Sequence, residues 1–216
     1  MLAEVVNSLP ESTRAIPLTS LFRPLFEAAQ LQTSLDRNPI AENRTLLLTL
    51  AAYINQDDMA QWISPELSEQ LPTARVIEVR VQQRQDLAQH IASSAALAAS
   101  AGANLARIIS STKEVYDARY RSGFSFSDMT ANTAGVAIGT LTTESVVSAE
   151  IMQQRMIQLN DDTDFLPPVA SGHDGLSETD FSERYRDSNS SAYQEKLVQI
   201  KTFVNDRPLF KGLRIN

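Results

Sequence analysis

The sequence predicts an all-α fold, a single-domain helical bundle around a tightly packed pair of small-residue helices, with an acidic Pro/Gly-rich loop before the C-terminal helices. Three patterns carry that prediction. Apolar residues recur at helical spacing through most of the chain, whereas period-two alternation is confined to one short stretch. Ala131, Gly135 and Gly139 stand four apart, a spacing that lets a neighbouring backbone come close. Ala92, Ala95, Ala99 and Ala103 form the matching small face, so a close antiparallel pair is expected.

The elements follow in order. Residues 1–18, punctuated by Pro10 and Pro17, read as a surface arm, and residues 19–72 as N-terminal helices. Thr19 or Ser20 caps the first of these, with Leu21, Leu25, Phe26 and Ala29 on one face. Pro24 falls in its first turns, where missing amide donors cost least. After a break at Asp36–Pro39, a second helix carries Leu46, Leu47, Leu50, Ala51 and Ile54 and stops at Gln56-Asp57-Asp58. Trp62 and Ile63 lead into a short helical turn closed by Pro72. Ile77, Val79 and Val81 alternate with Glu78 and Arg80, an extended pattern with no evident partner strand.

Residues 83–158 hold the core helices. Gln83–Ser110 reads as one long helix and Thr112–Arg121 as a shorter one. Gly123 permits a turn, Ser125 or Ser127 caps a third helix near Asp128, and a fourth turns Val146, Ile151, Met152 and Met156 inward. Residues 160–177 form a loop broken by Pro167, Pro168, Gly172 and Gly175, a flexible connector or a lid that could carry His173. Residues 178–216 are the C-terminal helices, opened by the Ser177/Asp180 capping pair and ending before Pro208.

Composition narrows the function. The 216-residue chain is 43% hydrophobic and 21% charged, enough for one folded core. A net charge of −7 and a pI near 4.9 argue against a general nucleic-acid binder, which needs a basic surface. With no cysteine, disulfides, thiolate metal sites and a Cys nucleophile are excluded. A cysteine-free chain favours a periplasmic or otherwise extracytoplasmic location, reached with a leader that the N-terminus does not show, with the cytoplasm as the alternative. Ile91–Ile109 approaches the ~20 residues a bilayer needs, but its Ala and Ser content with Asn104 and Arg107 reads as close-packed helix. No transmembrane segment is expected; association with a membrane surface stays open, and the sequence names no partner.

Polar residues recur on the core helices. Asp86 and His90 are four apart, Glu114 and Asp117 three apart beside Lys113, and Asp128 and Asn132 four apart, so each pair shares a helix face. Convergence of the helices would place them in one pocket. His90, Glu114, Asp117 and Asp128 are then the candidate catalytic residues, and Arg84, Asp86, Lys113 and Asn132 the candidate binding residues. A divalent cation is the cofactor that His90, Glu114 and Asp128 would take. The structural alternative is an ordinary one. Asp86 can charge a helix start, His90 can be satisfied by that same Asp86, and Lys113–Asp117 can be a surface ion pair worth about 0.3–0.5 kcal/mol.

These residues also carry a resemblance. RQDLAQHIASSAALAASAG, KEVYDARYR and SGFSFSDMTANTAGVAIG resemble the core of a family of uncharacterised, exported bacterial helical proteins. More distantly, the order Asp86, His90, Glu114, Asp128, Asn132 and Gly135 is similar to the VanZ-like and YfiM-like pattern. The resemblance implies a shared helical core with no settled activity. VanZ-like proteins are membrane-embedded, and these helices are too polar for that. Two readings follow: an envelope-associated binding or scaffold protein with a buried polar network, and a metal-dependent or acid–base hydrolase-like enzyme using the His/carboxylate pocket.

Overall fold

A computed structural model describes residues 1–36, 38–56, 72–107, 109, 123–169 and 175–213. The elements are α1 (Leu2–Asn7), β1 (Ala15–Pro17), α2 (Thr19–Asp36), α3 (Pro39–Asn55), β2 (Glu78–Arg80), α4 (Gln85–Ala101), α5 (Phe126–Leu141), α6 (Val146–Ile157), α7 (Glu178–Tyr185) and α8 (Ser191–Asn205). Short 3-10 turns lie at Asp162–Asp164 and Pro208–Phe210. The fold is all-α, as the periodicity predicts. The helical turn expected before Pro72 and the helix expected at Thr112–Arg121 lie outside the described residues.

The small-residue pair is α4 against α5. A Cβ on Gly135 would collide with the Ile91 carbonyl oxygen, and one on Gly139 with that of Ala95, so α5 lies directly on the backbone of α4. The pair is parallel, which corrects the antiparallel expectation. Asp128 faces Arg84 and His90, Asn132 faces His90 and Ser94, and Gly135 and Gly139 reach Ile91 and Ala95, so both helices advance together. Small-residue spacing dictates closeness and says nothing of direction. Gly102, with φ +87°, ends α4, so the single helix expected over Gln83–Ser110 is interrupted before helical geometry resumes at 103–107.

The remaining elements wrap this pair. Residues 1–18 are not a surface arm, because Val6, Ile16 and Leu18 are buried and β1 pairs in parallel with β2. That pairing supplies the strand partner which the 77–81 alternation lacks in the sequence alone. Leu21, Leu25, Phe26 and Ala29 of α2 enter the core as expected and Phe22 joins them, each larger side chain contributing about 1.5–3 kcal/mol. Met152 and Met156 of α6 are buried, whereas Val146, at its first turn, is exposed. The loop is not a free connector over 161–169: Phe165 and Leu166 are buried, with the Phe165 ring 5.7 Å from that of Phe22. Phe124, Phe126, Phe181, Tyr185 and Tyr193 form a second apolar cluster that ties α7 and α8 to the start of α5.

A buried polar network joins four helices. Asn43 Nδ2 donates to the carbonyls of Thr142 (2.9 Å) and Ala149 (3.3 Å), and its Oδ1 accepts from Gln153 Nε2 at 2.9 Å. Gln153 Nε2 also reaches Thr33 Oγ1 at 2.9 Å. Replacing Gly135 or Gly139 by Ala forces α4 and α5 apart, and each change is expected to destabilise the fold by about 1–3 kcal/mol or more. Urea unfolding of the two variants checks this; an unchanged midpoint would contradict the close approach.

Candidate functional site

The site begins at a strained turn. Gln82 and Gln83 both take positive φ, 49° and 65°, in a turn closed by reciprocal Val81–Arg84 backbone bonds of 2.9 Å. Left-handed conformations cost non-glycine residues about 1–2 kcal/mol each. The Gln82 contacts offset that cost. Its amide donates to Asp162 Oδ2 at 2.7 Å, its Nε2 donates to the Pro167 carbonyl at 3.0 Å, and its Oε1 accepts from the Val169 amide at 3.0 Å. The turn and the 162–169 segment thereby hold each other. Burial pushes the Asp162 carboxyl up, with Asp161 adding to the shift and the Gln82 N–H opposing it.

Arg84 leaves this turn as the N-cap residue of α4. Its guanidinium forks onto Asp86, with Nε to Oδ1 at 3.1 Å and Nη2 to Oδ2 at 2.6 Å, and Nη2 also lies 3.4 Å from Asp128 Oδ1. The Arg84 hydrogen bond chiefly holds the Asp86 carboxyl below its ordinary range against the effect of burial, helped by the Arg84 charge, the Leu87 amide and His90. Asp128 is placed by the N-terminus of α5, where its amide donates to the Ser125 side chain, so Ser125 is the cap. Its Oδ2 lies 3.2 Å from His90 Nε2. His90 Nδ1 lies 3.0 Å from Asn132 Oδ1, which also accepts from Ser94 Oγ at 2.9 Å.

The chain Arg84–Asp128–His90–Asn132–Ser94 therefore runs from a partly buried ion pair to buried amide and hydroxyl groups. Both ring nitrogens of His90 face oxygen acceptors, an arrangement that suits the imidazolium, which donates to both. The Asn132 side chain is 5% exposed, and its Nδ2 is buried with no partner among the described residues. Alongside lies a cleft of about 280 Å³ whose walls include His90, Ser93, Ser94, Leu97, Ile109 and Asn132.

No family model, curated protein or solved structure matches this chain. The reading of the site rests on its own geometry.

Of the residues singled out in the sequence, Arg84, Asp86, His90, Asp128 and Asn132 converge. Lys113, Glu114 and Asp117, and the lid candidate His173, lie outside the described residues. His90 takes its carboxylate from Asp128 across the helix pair, while Asp86 on its own helix is engaged by Arg84. Among the described residues no group of three or more His, Asp or Glu is arranged to hold a metal ion. Ser94 and Gln82 were not anticipated. Ser94 carries a weak signal, a hydroxyl four residues after His90 within an alanine face.

Because the folded protein holds the Asp162 carboxyl above its ordinary range, its charged form costs stability near neutral pH. That cost disappears as pH falls through the raised value. Asp162→Asn keeps an acceptor for the Gln82 N–H without the charge. The variant is expected to melt higher than the wild type at pH 7, with the gap closing as pH is lowered. Paired thermal melts across pH check the sign, and a gap that widens on acidification would refute it.

Proposed function

We propose that the protein is a cell-envelope-associated binding protein. In this reading the Arg84–Asp128–His90–Asn132 chain sets the register of α4 on α5 and preorganises a small ligand cleft at its inner end. Asn132 carries the reading. A buried donor without a partner costs about 1–3 kcal/mol, and here that donor belongs to an amide held at its other end by His90 and Ser94, on the wall of a cavity. A ligand supplying an acceptor offsets the cost. The envelope placement is supported by the family resemblance and the cysteine-free composition, and cell fractionation tests it.

The second reading is an acid–base or metal-dependent hydrolase, with Glu114, Asp117 and Lys113 completing the set. The His90–Asp128 pair favours it, since a carboxylate on one ring nitrogen orients the other for proton transfer. That other nitrogen faces Asn132 Oδ1, so catalysis requires a substrate that takes its place.

His90→Ala leaves Asp128 and Asn132 Oδ1 each short of a partner, and is expected to lower stability by about 1–3 kcal/mol without any ion-specific effect. Thermal melts of both proteins with EDTA and then divalent ions test this. A metal-specific rise in the wild type, lost in the variant, would overturn the binding reading in favour of the metal enzyme. An NMR fragment screen that leaves the signals of His90, Ser94 and Asn132 unmoved would also overturn it.

A further inference from the structure

The cleft has two chemically distinct ends. Its inner end is polar and buried: Ser94 and Asn132 are 3% and 5% exposed, and the His90 side chain 12%. Its outer part carries two apolar side chains, Leu97, which is half-buried, and Ile109, which is 46% exposed, beside the polar Asn55, Gln89 and Ser93. A wholly polar ligand would leave Leu97 and Ile109 wet, and a wholly apolar one would bury Asn132 Nδ2 without relief. The hydrogen-bond directions at the inner end decide the polarity of the ligand head. Ser94 Oγ donates to Asn132 Oδ1, and the Nδ1 edge of His90 faces the same oxygen, so the end of the amide left over is its N–H donor.

We propose that the cleft binds a small molecule with an sp² oxygen head, a carboxylate or carboxamide, and a short aliphatic tail. The oxygen accepts from Asn132 Nδ2, and the tail covers Leu97 and Ile109. This rests on the binding reading above and narrows it to one ligand class. The two head groups share the acceptor. Asp128 lies on the edge of the His90 ring opposite Asn132.

The test uses three probes with one tail and different heads: pentanoate, pentanamide and pentylammonium. Each is titrated into the full-length protein and followed by the NMR signals of the Asn132 side chain and the Leu97 methyls. Pentanoate, pentanamide or both are expected to bind saturably there, at least tenfold tighter than pentylammonium. Their ratio separates a charged from a neutral head. Asn132→Asp keeps an oxygen toward His90 and Ser94 and replaces the donor by an acceptor, so binding of the oxygen heads should fall at least tenfold. Ser93 is exposed at the cleft wall, so Ser93→Phe occludes the site without touching the buried network and should abolish binding. It serves as the second variant should Asn132→Asp fail to fold. Preferential binding of pentylammonium would overturn the head assignment while leaving a binding cleft in place. Failure of all three probes, with other fragments still binding the cleft, would overturn the ligand class alone. Failure of every compound would overturn this inference and the binding reading together.

Discussion

The contact of α5 with the α4 backbone is the constraint on which the rest depends. Gly135 and Gly139 have no room for even a methyl group, and Ala131, Ala134, Ala137, Ile138 and Leu141 bury the other sides of the same helix. A helix enclosed on nearly every face is a core element with no solvent stripe to orient it. Its direction and register therefore need another determinant. The parallel arrangement puts the N-termini of both helices at one end, and there the charged groups collect: Arg84 and Asp86 on α4, Asp128 on α5. Sliding α5 by one turn, about 5.4 Å, would separate Asp128 from His90 and drive Gly135 off the Ile91 carbonyl at once.

Two buried asparagines show how differently the fold treats polar groups. Asn43 spends its amide on the Thr142 and Ala149 carbonyls and its oxygen on Gln153, closing a network among α2, α3, α5 and α6. It acts as a fastener at the C-terminal end of α5. Asn132, near the other end, is equally buried but satisfied on one side only. A fold able to pair every group on Asn43 had the means to pair Asn132. The open donor beside a cavity is thus the local inconsistency that marks a functional site better than the charged residues do.

How much was legible follows from what each signal encodes. Helices α2, α3 and α5 were readable because apolar spacing, Ser125 and the break at Asp36–Pro39 agree. The β1–β2 pairing was not, because Ala15–Pro17 is too short to show alternation and its partner lies far along the chain. The i, i+4 pairs on α4 and α5 were visible, but their partners across the interface were not: spacing proposes Asp86 for His90, and three-dimensional placement gives Asp128. Asn43, Gln153 and Thr33 had a signal of their own, since each stands on the apolar stripe of its helix, beside Leu46 and Leu47, Met156, and Ala29 respectively. A lone polar residue at a core position reads as noise until its partners on other helices are known.

The Gln82-Gln83 turn links these levels. Two left-handed residues in succession are unfavourable on their own, and a flexible 162–169 segment could not hold them. The burial of Phe165 and Leu166 makes that segment rigid, and the Gln82 side chain and amide convert its rigidity into a fixed starting point for α4. Arg84 is the next ordered residue but one, so its position relative to Asp128 is set from both sides: by the turn on its own chain and by the glycine contact that places α5. One partner in this arrangement, Asp162, is itself destabilised by burial. The fold thus accepts local costs at Gln82, Gln83 and Asp162 in order to place one guanidinium. That expense is intelligible when the group being positioned is the outer anchor of a polar chain ending at an open donor.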